Sequence, residues 1–380
     1  MTRVLDRRTL NRAALDRQLL LKRFDMSVRD AVGLLVAMQA QENNVPYYGL
    51  WTRLAGFRQQ DLTDLMNDRS VVRGSILRGT QHMSLAVDYL WLRPLIHECL
   101  LRGRQAAFGR VSKDWDLDEL AAEARKLLDG QVLTRPQLAR ALAELWPDRD
   151  LQALGWSAQA LVPVVHPPPS GTWNVAGATP FALAEEWIGR PLHENGTAGS
   201  AGPAGSVGPA RLIRRYLAAF GPASVKDFQM WSGLRRMDAA FAELRPELRV
   251  YQDENGVELF DLPDARLPDA DGPAPVRFLP GFDNLVLAYA DRTRLMTDEQ
   301  RKVVCVGAEI KPTLLVDGRV HALWTLKHDR KAGDAVLTIE LFASLPDEPA
   351  VEEVEKEAAR LLDFAAPDAD HDVRFTSWSG

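Results

Sequence analysis

One pattern recurs three times in this sequence and constrains the fold more than any other feature: two short helical stretches joined by a turn. The first copy precedes Val71–Leu85, where polar and apolar residues alternate among β-branched residues and glycines, as in a strand or hairpin. In the second, Leu117–Asp129 and Thr134–Leu145 flank Gly130, with Thr134 as cap and Pro136 inside the first turn. In the third, Arg211–Ala219 ends at Phe220-Gly221-Pro222, Ser224 caps Asp227–Trp231, and Met237–Leu244 is helical again after Gly233. A helix pair followed by a wing is the winged-helix order. The spacing therefore predicts an α+β chain with tandem winged-helix (helix-turn-helix) modules at 1–113, 114–194 and 210–275.

Around these modules, Arg8–Asp25 predicts an amphipathic helix with arginines on its outer face. Ser27, with Asp30 three residues on, predicts the cap of a helix running to Gln39, and Arg53–Met66 reads as helical with a turn at Gly56. His166-Pro167-Pro168-Pro169 predicts a stiff extended segment, and 195–209 a flexible Gly/Ala/Ser loop. Asp261–Pro275 reads as another loop. Residues 276–380 turn β-rich, with strands at Val303–Ile310, Thr313–Val316, Arg319–Trp324, Ala335–Phe342 and Asp372–Ser377 and a helix at Val351–Phe364. Asp317-Gly318 is a type I′ hairpin signal. A small C-terminal barrel-like element is expected there.

Several chemistries find no motif. Cys99 and Cys305 are the two cysteines and lie far apart, so neither a disulfide framework nor a zinc site is expected. The seven histidines show no metal-ligand spacing, and no phosphate loop, dinucleotide fingerprint or nucleophile elbow occurs. No metal or cofactor is expected. The opening residues hold no apolar leader and no stretch is long enough to span a membrane, so a cytoplasmic location is expected. The net charge of −6 conceals an asymmetry. Residues 1–113 carry 18 Lys+Arg against 10 Asp+Glu, or +8, which leaves −14 for the remainder. A basic third on an acidic body suits a face for nucleic acid, and equally two parts that hold each other by charge.

The stretch Gly33–Tyr48 carries the candidate chemistry. Its apolar run delivers Gln39 and Gln41, then meets Asn43, Asn44 and Pro46, which predict a stop. Residues two apart on a helix point about 200° apart, so the two amides can share a site only if the helix ends near them. The same arrangement also suits two amides that cap a helix end or tie down a loop.

Gln39-Ala40-Gln41, Leu77-Arg78-Gly79-Thr80-Gln81-His82, Phe220–Gly233, Leu279–Arg292 and Pro312–Trp324 are similar, in order, to the AlkZ/YcaQ-like winged-helix DNA glycosylases. The resemblance spans nearly the whole chain. It implies three winged-helix motifs in a C-shaped arrangement around double-stranded DNA, with a barrel element behind. It also implies excision of bulky N7-alkylated guanines, with Gln39 and Gln41 as the catalytic pair of the AlkZ branch. Members of that branch unhook interstrand crosslinks and protect antibiotic producers from their own DNA alkylators. The loop at 195–209 has no counterpart in that pattern.

An amide is no general base. A guanine alkylated at N7 is already cationic, however, so its departure needs only a placed water and negative dipoles near the sugar, where an oxocarbenium-like state develops. Phosphate contacts are expected from Arg73 and Arg78, from Lys226 and Arg235 in the third module, and from Arg319 at the hairpin tip, which would enter the minor groove. Asn43, Thr80 and His82 join the expected DNA-contacting set. A bulky guanine that cannot rotate freely predicts an open cleft rather than a tight base pocket. The expected state is a monomer. A DNA-binding regulator and a glycosylase for small methylpurines are the alternative readings.

Overall fold

The computed structural model describes residues 2–193 and 208–378. The expected loop at 195–209 thus falls almost wholly outside the described residues. Three units share one order: helix, short strand, helix, helix, and a strand pair. The first runs through helix Val28–Leu34, strand Met38–Gln39, helices Val45–Trp51 and Gln59–Asn67, and strands Val71–Ser75 and Gln81–Leu85. The second runs through Leu117–Leu128, Leu133–Thr134, Arg135–Leu145, Leu151–Leu161, Val164–Val165 and Pro180–Leu183. In both, the first strand pairs with the last, which pairs with the middle one. The third places helix Pro209–Phe220 before Val225–Ser232 and Asp238–Leu244, then strands Arg249–Asp253 and Glu258–Asp261, and its first strand shrinks to one bridge between Ala223 and Phe260.

The first two units are fused. Gly74 pairs with Val165, which joins their strands into one six-stranded sheet. Strand Arg3–Leu5 lies parallel to Arg249–Asp253 and adds to the third unit. The C-terminal region corrects the barrel expectation. Among the described residues five of its strands form an open sheet edged by Arg277–Leu279 and Asp370–Ser377. Helix Glu348–Ala365 closes the core over that sheet, burying Val354, Ala358, Leu361 and Leu362 beside Phe278, Trp324 and Leu337.

Other expectations are corrected by local physics. The helix placed at 8–25 is Arg7–Arg17, capped by the Asp6 side chain, and its arginines point inward as well as out. Arg12 binds Asp317, and Arg17 makes two 2.7 Å bonds to the fully buried Asp261. Arg23 reaches Glu357 at 2.6 Å, and Arg53 grips Asp283 with two 2.8 Å bonds. The basic N-terminal third therefore holds the acidic C-terminal part by charge. Pro46, expected to end a helix, sits in the first turn of the next one, where its missing N–H costs nothing. The segment His166–Pro169 does not stay extended but turns at Pro168–Gly171. The strand expected at 303–310 is the end of helix Asp298–Val304 followed by the small hairpin Cys305–Val306 and Glu309–Ile310.

Among the described residues no helix is long and apolar enough to cross a membrane. Nor is any group of three or more His, Cys, Asp or Glu side chains placed to hold a metal ion.

Candidate functional site

The helix that begins at the Ser27 cap ends at Leu34, five residues short of Gln39. Val36 then takes a left-handed φ of 67°, which a β-branched residue adopts only under constraint. The constraint is visible: Asn284 Nδ2 donates to Ala37 O at 2.8 Å, and Val36 and Ala37 are packed in the main core. The reversed chain enters the sheet as strand Met38–Gln39, with Met38 opposite Met83 and Gln39 opposite His82. The N–H of Ala40 carries the ladder one residue further by donating to Gln81 O at 2.7 Å.

This changes the geometry of the glutamine pair. The strand ends at Gln39, and Gln41 follows in a bend after Ala40, so the two amides are no longer bound to the 200° separation that a helix would impose. Gln39 is buried and Gln41 exposed. The amide oxygen of Gln39 accepts a 2.7 Å bond from Arg78 Nη2, and that of Gln41 meets the N–H of Gln81 at 3.4 Å. Arginine has only donors, so its contact fixes which end of the Gln39 amide faces it.

Arg78 stands in the turn Leu77–Gly79 with φ 55°, held by two neighbours. Its Nη1 donates to Trp231 O at the end of helix Val225–Ser232, and its backbone is pressed by Gly233. A Cβ at Gly233, whose φ is 80°, would lie 2.9 Å from Arg78 Cα, so no larger residue fits. Beneath Arg78 lies His82, 2% exposed, whose Nδ1 bonds Thr80 O at 3.0 Å and whose Nε2 is 3.4 Å from Arg78 Nη2. Burial, and then the Arg78 charge, push its imidazole down to about 3, so it is neutral at physiological pH.

The remaining residues expected at the site scatter. Arg73 is buried, with bonds of 2.9 Å to Ala40 O and 3.0 Å to Ser170 Oγ, so it braces the glutamine strand instead of facing phosphate. His82, sealed beneath Arg78, likewise offers no surface to DNA. Thr80 is half-buried, with its hydroxyl on Leu77 O. Asn43 donates to Val175 O and Asn44 accepts from Asn174 N–H at 2.8 Å, tying the loop after Gln41 to the segment 172–175. Lys226, Arg235 and Arg319 are exposed, and Arg319 also bonds Thr293 O at 3.2 Å. The hairpin at Asp317-Gly318 does form with both residues at positive φ, 44° and 76°. Its tip is nevertheless docked on helix Arg7–Arg17: Asn11 donates to Gly318 O at 2.7 Å, and Arg8 reaches Asp317 at 2.9 Å. It cannot enter a groove while so held.

Sequence reasoning missed a second hairpin. Strands Arg319–Asp329 and Asp334–Leu341 end in a tip with Lys327, His328, Arg330 and Lys331 all exposed. His328 and Arg330 line one hollow with Trp173 and Asn174, next to the loop that Asn44 anchors. The signal was four cationic or imidazole-bearing residues around Asp329 and before Gly333. A family model for AlkZ-like DNA glycosylases matches residues 32–364.

The chain belongs to the AlkZ-like DNA glycosylase family. It is accordingly an enzyme that hydrolyses N-glycosidic bonds in DNA. A Streptomyces sahachiroi protein described as an interstrand DNA cross-link repair glycosylase is 27% identical over 376 residues, covering 91% of this chain and 93% of that one. The solved structure of the Streptomyces sahachiroi DNA glycosylase AlkZ superposes with a TM-score of 0.79 at 23% identity, covering 98% of this glycosylase and all of AlkZ.

Proposed function

We propose that this glycosylase excises bulky N7-alkylguanines from double-stranded DNA, including guanines joined in interstrand crosslinks, as a monomer that protects its host from a DNA-alkylating natural product. One observation carries the reading: the side chain that Arg78 holds at the end of the Met38–Gln39 strand is an amide, Gln39, with a second amide, Gln41, two residues on and no carboxylate between them. Amides cannot take a proton, so they suit a leaving group that arrives already cationic. The name of the Streptomyces sahachiroi relative supports the extension to crosslinks.

In this mechanism, Gln39 Oε1 uses one lone pair on Arg78 and keeps the other for a proton of the attacking water. Gln41, at the exposed end, accepts from the same water and turns its dipole toward C1′ as the C1′–N9 bond breaks. The bonding pair goes to the cationic guanine, which leaves neutral, and the added water gives up its proton to solvent. The three repeated units are winged helices, and the exposed Lys226 and Arg235, with the tip Lys327–Lys331, contact phosphates. The hairpin at 329–333 replaces the docked Asp317-Gly318 turn as the element that probes the duplex.

Incubation with duplexes carrying 7-methylguanine, a bulky N7-alkylguanine or an N7–N7 crosslink tests the reading. Release of free modified base without heating, fastest for the bulky adducts, is the expected result. Release confined to small methylpurines would overturn the substrate assignment.

A further inference from the structure

A second cavity adjoins the glutamine site through Arg78. It lies between the Leu77–Gly79 turn and helices His97–Phe108 and Leu151–Leu161, and its volume is about 400 Å³. That is within the range of small-molecule sites, roughly 300–1,000 Å³. Gln39 does not line it, but Arg78, which bonds Gln39 at 2.7 Å, does. A recess thus lies one side chain away from the candidate catalytic amide.

The walls suit a flat aromatic group with a hydrogen-bond donor. Leu100, Phe108 and Trp156 supply apolar surface. Trp156 remains 37% exposed although it lines a recess, and the Arg135 guanidinium sits 4.0 Å from its ring centroid. Arg135 holds the indole from outside the recess, and a ring stacked on Trp156 within it would gain aromatic contact. Gln159, only 5% exposed, donates through Nε2 to Ser75 Oγ at 2.9 Å, while its Oε1 has no partner. A buried acceptor left unpaired is unfavourable unless something fills the site.

We infer that this cavity receives a planar aromatic substituent carried on the alkylated guanine, stacked on Trp156 and donating a hydrogen bond to Gln159 Oε1. The inference rests on the glycosylase reading above and names the kind of adduct that the site selects. The guanine itself stays by Gln39 and Gln41, and only its substituent passes Arg78.

Single-turnover excision is measured for two duplexes, one carrying 7-methylguanine and one carrying an N7-(arylmethyl)guanine whose ring bears an N–H donor. The variants are Trp156→Ala, Gln159→Leu and Ala107→Trp, the last of which fills the recess. Stacking on an aromatic side chain contributes about 1–3 kcal/mol per ring, so Trp156→Ala should lower kcat/KM on the aryl adduct about 5- to 150-fold. Ala107→Trp should do the same, and Gln159→Leu should lose the preference for the N–H-bearing ring over one without it. All three should excise 7-methylguanine within about twofold of wild type, which also shows that they fold. Equal losses on both duplexes would mean that the recess holds the base itself, and unchanged rates on both would mean that it holds nothing; either overturns the inference. If the wild type released neither base, the substrate reading would fall first and this inference with it.

Discussion

Arg78 Nη2 lies 2.7 Å from Gln39 Oε1 while Nη1 of the same guanidinium donates to Trp231 O. One side chain thus joins three separated stretches of sequence: the glutamine strand, the Leu77–Gly79 turn, and the end of helix Val225–Ser232. Burial lowers the Arg78 pKa to about 10, which leaves it charged at neutral pH. Its role is to hold the Gln39 amide in one orientation. Arg78→Met should reduce single-turnover excision by about 10²-fold or more, since one misplaced polar group in a reacting site has that scale of effect. Arg78→Lys should recover little, because an ammonium cannot hold two acceptors in the fixed fork. Full activity in Arg78→Met would remove this residue from the mechanism.

Gln39→Ala and Gln41→Ala should each lower the single-turnover rate by roughly 3–4 kcal/mol of barrier, with duplex affinity changed only slightly. Wild-type rates in both variants, read by chromatography of released base, would dismiss the pair.

Neither glutamine titrates, His82 is neutral down to about 3, and Arg78 stays protonated well above neutrality. Excision should therefore be flat with pH from about 5.5 to 9, without the bell that an acid–base pair produces. A limb with a midpoint near 6 or 7 would reveal a general base.

Stability should behave differently. His82 and His166 are both pushed down to about 3 by burial, whereas in the unfolded chain they titrate near 6.5. Below about 6.5 the unfolded state binds more protons, so stability falls as pH drops toward 3. Each histidine contributes a slope of up to about 1.4 kcal/mol per pH unit. Urea midpoints between pH 7.5 and 5 should show this decline, and a His166→Phe variant should show a shallower one.

Arg330→Ala with Lys331→Ala should weaken DNA binding and reduce the slope of log affinity against log salt by about one to two, one for each phosphate no longer neutralised. Arg319→Ala should move the slope less, because Arg319 already bonds Thr293 O. An unchanged slope in the double variant would take the 329–333 hairpin off the duplex.

Short-range signals read well. The Ser27, Thr134 and Ser224 caps, the Asp317-Gly318 turn and the helices of the second and third units all depend on residues within a few positions of one another. The strand at Met38–Gln39 is not legible in this way, because its extended form is imposed by Gln81–Met83 and by Asn284, far along the chain. Its apolar run suits a helix equally well by period. Arg73 and Arg78 look like surface cations in the sequence for a related reason. Nothing local says that Ala40 O, Ser170 Oγ, Gln39 and Trp231 O will surround them. The open C-terminal sheet reads as a barrel because strand number does not reveal whether edges meet.

Those internal ion pairs also bear on how the protein is made. Arg53 waits for a carboxylate 230 residues downstream, Arg17 for one 244 downstream, and Arg23 for one 334 downstream. While the ribosome is still at work, the leading segment holds guanidinium groups bound for a dry interior with no counter-charge yet synthesised. Docking of that segment should therefore be a late event, completed only when helix Glu348–Ala365 has emerged, and a nascent chain stalled before then should remain open to proteases in that segment.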